Sequence, residues 1–72
     1  MASKRFGRVR ITYRDNGTIV LATSDSAHRV TIYRNGGRVY VICDGARQIQ
    51  PKGSSMSGAR RRMCTQLNRA CR

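Results

Sequence analysis

Seventy-two residues carry 15 Lys and Arg against three Asp and no Glu, a net charge of +12. A chain this short makes one domain, near the limit at which a core holds without metal, disulfides or a partner subunit, so a multidomain architecture is excluded and a homodimer stays in view. Surplus charge of one sign opposes compaction unless a polyanion neutralises it, so nucleic acid is the expected partner and an acidic protein surface the next.

Thirteen of the cations are Arg, the side chain that grips phosphate and guanine edges bidentately. No apolar run is long enough to span a bilayer and no apolar signal core follows the start, so no membrane role is expected. The expected compartment is the cytoplasm, or the host-cell cytoplasm if the source is viral. Cys43, Cys64 and Cys71 lack the spacing of a secreted disulfide framework and read as free thiols.

Residues 1–5 read as a mobile basic arm. From Phe6 the pattern alternates, with Val9, Ile11 and Tyr13 on one side and Arg8, Arg10, Thr12 and Arg14 on the other. Asp15-Asn16-Gly17 forms a three-residue loop with Gly17 left-handed, which sets Tyr13 opposite Ile19 and Ile11 opposite Leu21. Ser24 to Ala27 is a polar connection to a central hairpin, His28 to Cys43.

In that hairpin Asn35-Gly36 are the expected turn residues, placing Ile32 opposite Val39, Tyr33 opposite Arg38 and His28 opposite Cys43. Val30, Ile32, Val39 and Val41 then form a core face, and Arg29, Thr31, Tyr33, Arg38 and Tyr40 the other. Asp44-Gly45 turns the chain again. Arg47 to Gln50 reads as a short fifth strand or an edge extension, and Pro51 to Ser55 ends the sheet pattern at residues 6–50.

The period then changes to helical over 55–71. Met56, Ala59, Met63, Cys64, Leu67, Ala70 and Cys71 share one arc, opposite Arg61, Arg62, Thr65, Asn68, Arg69 and Arg72. Ser54, Ser55 or Ser57 supplies the cap, and Gly58 weakens the first turn. The expected fold is α+β over residues 1–72, a four-stranded antiparallel meander of two hairpins packed against one C-terminal helix.

Arg8, Arg10 and Arg14, with Arg29, Tyr33, Arg38 and Tyr40 of the hairpin, interleave guanidinium and aromatic groups that suit phosphate and bases. Arg60, Arg61, Arg62 and Arg69 make the helix a second cationic surface, with no acid four residues on to pair with them. Sheet and helix cations fall on opposite sides of a two-layer fold. Both meet the same groove only if the protein wraps, dimerises or is wrapped. The plain alternative for each set is a solvated surface.

His28 beside Cys43 reads as packing, ahead of a nucleophile and base or two ligands of a zinc site with Cys64 and Cys71, because no orienting third group and no close Cys pair is visible. No cofactor or metal is expected. Asp15, Asp25 and Asp44 all occupy turn sequences, so no carboxylate pair is available for acid and base work.

Ser26-Ala27-His28, ahead of two strands and a closing helix, resembles the Gly-Ser-His type motif of the small toxin ribonucleases of the HicA type, over roughly Ser26 to Ala70. The resemblance implies a double-stranded-RNA-binding-like fold in which His28 assists RNA cleavage. The chain departs from that family in lacking the motif's Gly and a helix before the first strand.

Three functions follow in order. The first is a small basic nucleic-acid-binding protein, non-enzymatic and regulatory, of a size and charge that suit a phage or mobile element. The second is an inhibitor or modulator docking on an acidic surface of a larger host machine, such as a polymerase or a CRISPR effector. The third is a toxin-type ribonuclease using His28.

Overall fold

The computed structural model describes residues 2–24 and 27–70. Six strands follow one another in an antiparallel sheet of order β1-β2-β3-β4-β5-β6: β1 Ala2–Phe6, β2 Val9–Tyr13, β3 Ile19–Thr23, β4 Arg29–Asn35, β5 Arg38–Cys43 and β6 Ala46–Ile49. One helix, α1 Met56–Ala70, closes the fold. The architecture is α+β with an antiparallel meander and a C-terminal helix, as the sequence implies, but with six strands instead of four. Cys71 and Arg72, assigned to the helix by periodicity, and Asp25 and Ser26 of the polar connection lie outside the described residues. Among the described residues no helix is long and apolar enough to cross a membrane.

Two edge strands extend the four: β1, read as a mobile arm, and β6 at Ala46–Ile49, where the sequence offered a short fifth strand over Arg47 to Gln50. The basic arm is not an arm: Ala2–Phe6 pairs with β2 through a two-residue turn, Phe6 opposite Val9 and Arg5 opposite Arg10. Gly7 makes the turn possible, with φ 61°, a value at which Cβ crowds the following carbonyl. At the far edge β6 returns along β5 through Asp44-Gly45, both left-handed, with Cys43 opposite Ala46.

The first long hairpin has the expected register. Tyr13 lies opposite Ile19 and Ile11 opposite Leu21, around the loop Asp15-Asn16-Gly17 with Gly17 at φ 87°. The Asn16 side chain accepts from the Thr18 N–H at 3.0 Å, a local bond that holds the turn.

The central hairpin is displaced by two residues from the expected pairing. Gly36-Gly37 form the turn, at φ 61° and 77°, and Asn35 stays in the strand opposite Arg38. Ile32 therefore meets Val41, Tyr33 meets Tyr40 and Val30 meets Cys43. The turn has positive φ at both central residues, a conformation open to two glycines because neither has a Cβ to strain. The same shift brings two aromatic rings face to face. Since side chains alternate with period two, the face assignment survives: Val30, Ile32, Val39 and Val41 are all buried.

The core lies between that face and the helix. Val9, Ile11, Ile19 and Leu21 join the four hairpin residues from the sheet, and Ala59, Met63, Cys64 and Leu67 come down from α1. Ser55 caps the helix, its hydroxyl accepting from the Gly58 N–H at 3.0 Å. Three further bonds fix the helix on the sheet. Arg60 donates to the Tyr13 hydroxyl, Arg62 donates to Gln50 Oε1 at 2.6 Å, and Asn68 Oδ1 accepts from the Arg8 N–H at 2.9 Å.

Candidate nucleic-acid interface

The helix covers one face of the sheet and leaves the other open. Alternation sends every second strand residue to that open face, so Arg10 and Thr12 of β2, Val20 and Ala22 of β3, Arg29, Thr31 and Tyr33 of β4, Arg38, Tyr40 and Ile42 of β5, and Arg47 and Ile49 of β6 share it. Arg5 joins from β1 by its pairing with Arg10. No strand contributes a carboxylate, because Asp15 and Asp44 stand in turns.

On this face Tyr33 and Tyr40 stack across β4 and β5, ring centroids 5.2 Å apart and planes 10° from parallel. The Arg47 guanidinium lies 5.9 Å from the Tyr40 ring centroid, within cation–π range. The same face holds a depression of about 570 Å³ lined by Thr12, Arg14, Asp15, Asn16, Val20 and Arg29. Its lining combines two cations, Arg14 and Arg29, with one carboxylate, Asp15. Arg14 and Arg29 offer a phosphate two guanidinium donors, against the single opposing charge of Asp15.

The expected site residues divide into three groups. Arg10, Arg14, Arg29, Tyr33, Arg38 and Tyr40 come together on the open face. Arg61, Arg62 and Arg69 are exposed on α1, Arg61 and Arg69 away from the sheet and Arg62 donating to Gln50 Oε1 just past the end of β6. Arg8 and Arg60 belong to neither. Arg8 occupies the β1–β2 turn, its N–H held by Asn68 and its carbonyl accepting from the Ser24 N–H at 2.9 Å, instead of continuing the strand stripe. Arg60 sits on the flank of the helix, half-buried and tied to Tyr13.

Two further cations, Arg5 and Arg47, lie on the open face without having been expected there. Arg47 is legible in the sequence, since continuing the alternation through Asp44-Gly45 puts it beside Tyr40. Arg5 is not, because nothing in Met-Ala-Ser-Lys-Arg has strand character and only pairing with β2 orders it.

His28 does not face Cys43. Its Nδ1 lies 3.0 Å from Asp44 Oδ2, and since a carboxylate only accepts, the ring donates from Nδ1. Asp44 Oδ1 accepts from the Arg29 N–H at 3.2 Å. These two bonds hold the Asp44 carboxyl below the usual aspartate range, the His28 bond contributing most. The His28 N–H donates to the buried Thr23 hydroxyl at 3.2 Å, so the histidine closes the gap between β3 and β4. Burial pushes both the Cys43 and the Cys64 thiols up, away from thiolate character. Among the described residues no three His, Cys or Asp side chains gather as a metal set.

No family model matches the chain, and no curated protein or solved structure matches it. The toxin-ribonuclease resemblance is thus carried by Ser26-Ala27-His28 alone. Ser26 lies outside the described residues, and the sheet opens on strands with no helix before them among the described residues.

Proposed function

We propose that this chain is a small nucleic-acid-binding protein with a regulatory role, its open sheet face gripping phosphate through arginine and receiving bases beside Tyr33 and Tyr40. One observation carries the reading: the face left bare by the helix holds Arg5, Arg10, Arg14, Arg29, Arg38 and Arg47 together with a stacked tyrosine pair, and no strand contributes a carboxylate to it. A merely solvated face gains nothing from a cluster of like charges. Against a polyanion the same charges release condensed counterions, and the rings offer stacking area that does not depend on sequence.

The test is fluorescence anisotropy against a labelled DNA duplex, a DNA single strand and an RNA hairpin, each at low and near-physiological salt. Binding to at least one probe is expected to survive physiological salt. On the duplex, Arg10→Gln/Arg29→Gln/Arg38→Gln should lower the slope of log affinity against log salt by about 0.9 for each phosphate that the variant leaves unneutralised. Weak binding that ignores the probe and vanishes at physiological salt would overturn the reading and turn the search to an acidic protein partner.

A further inference from the structure

The molecule has two cationic surfaces, and they face apart. Met63 and Leu67 point from the helix into the core, and on a wheel of about 100° per residue Arg61, Arg62 and Arg69 fall within roughly 100° of one another on the far side. All three are exposed, and the helix contains no Asp or Glu to neutralise them. Two helix cations blur the division: Arg60 is turned inward to Tyr13, and Arg62, although exposed, donates to Gln50 Oε1 at 2.6 Å and so stands at the rim of the outer face, with Arg61 and Arg69 at its middle. The sheet cations point the opposite way, through a body whose smallest Cα extent is 19 Å.

That separation decides how many polyanions the protein can hold. The Debye length at physiological salt is about 8 Å, so charges on one face are screened from ligands on the other. A nucleic acid docked on the sheet therefore leaves the helix arginines unneutralised. Two segments on opposite faces barely repel each other. A duplex cannot serve both faces by bending, since its persistence length of about 150 base pairs makes it a rigid rod beside a body 34 Å long.

Given the nucleic-acid reading of the sheet face, we propose that a single copy of this protein bridges two nucleic-acid segments, one on the open sheet face and one on the outer face of α1. Such a protein joins or compacts strands in addition to occupying a site. No association between protein copies is required.

The test places a biotinylated duplex on beads and asks whether the protein retains a fluorescent copy of the same duplex, with an RNA hairpin run in parallel. Anisotropy and light scattering on the same samples report binding and protein mass. The wild type is expected to retain the second copy as a monomer. Arg61→Gln/Arg62→Gln/Arg69→Gln should still bind one copy, yet retain the second at least about tenfold less at physiological salt, since neutralising three phosphates carries that much counterion release. The reciprocal sheet variant, Arg10→Gln/Arg29→Gln/Arg47→Gln, should show the same split.

Retention unchanged in the helix variant would overturn bridging. So would a wild type that binds one copy and never two, or a dimeric mass that the helix variant abolishes, because two sheet faces would then do the joining. Absence of any binding in anisotropy would instead sink the nucleic-acid reading, and bridging with it.

Discussion

Tyr33 and Tyr40 stand directly opposite across β4 and β5 with their rings stacked 5.2 Å apart, a contact that exists only because the hairpin turns at Gly36-Gly37. With Asn35-Gly36 as the turn, Tyr33 would face Arg38. The stack is therefore a marker of register as well as a feature of the proposed interface.

A double-mutant cycle tests it. Tyr33→Leu and Tyr40→Leu, alone and together, should show a coupling of about 0.5–1.5 kcal/mol in urea unfolding, the usual value for an aromatic pair beyond its burial. A coupling near zero would mean that the rings are not paired. If bases stack here, Tyr33→Leu should also weaken single-strand binding by about 1–3 kcal/mol.

Gly7 and Asn68 are matched in a different way. A Cβ at position 7 would stand 2.5 Å from Asn68 Oδ1, and the backbone there has φ 61°. Gly7→Ala should therefore cost about 1–3 kcal/mol for the left-handed conformation and further stability for the clash. Asn68→Ala alone should cost about 1 kcal/mol by removing the acceptor of the Arg8 N–H. The combined variant should be more stable than the sum of the two, because removing the amide leaves the new methyl room. Strict additivity in thermal unfolding would show that the close approach is absent.

Asp44 links stability to acid. Its carboxyl is held below its ordinary value by His28 and the Arg29 N–H, so the ionised form is favoured in the folded state. A group with a lowered folded value contributes fully above its unfolded value of about 3.9 and loses that contribution as pH falls through the folded value. Asp44→Asn tolerates φ 49° and removes the charge. The variant should be the less stable at neutral pH, and the gap to wild type should close as pH falls below about 3.9. A gap that stays unchanged as pH falls well below about 3.9 in pH-dependent denaturation would show that the carboxylate bonds do not stabilise the fold.

The helix start depends on Ser55, whose hydroxyl takes the Gly58 N–H. Ser55→Ala should cost about 1 kcal/mol, which in a domain of this size lowers the melting temperature by roughly 4–8 °C. Ser57→Ala removes no such cap and should leave the melting temperature nearly unchanged. Equal effects of the two substitutions in a calorimetric scan would point to another cap.

Much of the site is legible in the sequence because it rests on alternation. Period two alone assigns Arg10, Arg29, Tyr33, Arg38 and Tyr40 to one face, and a register shift of two residues leaves such an assignment intact. It misplaces Arg8, since alternation carries no mark of where a strand begins and Gly7-Arg8 form a turn. Arg60 reads with its neighbours as part of an arginine run, although its angle on the helix sets it beside Tyr13.

By itself the sequence determined the class of the fold, the apolar members of the core and the sign of both surfaces, though not the buried Thr23. Those properties follow from local period and composition, which act at every position and need no partner to be identified. The tertiary structure decided what depends on a meeting of distant segments: β1 as a strand, ordered only by its ladder with β2; His28 on Asp44 instead of Cys43; and Asn68 on the β1–β2 turn. It also decided the pairing of Tyr33 with Tyr40. Two candidate turns, Asn-Gly and Gly-Gly, share one stretch of chain and are both acceptable locally; the register with Gly-Gly at the turn is the one that brings the rings together.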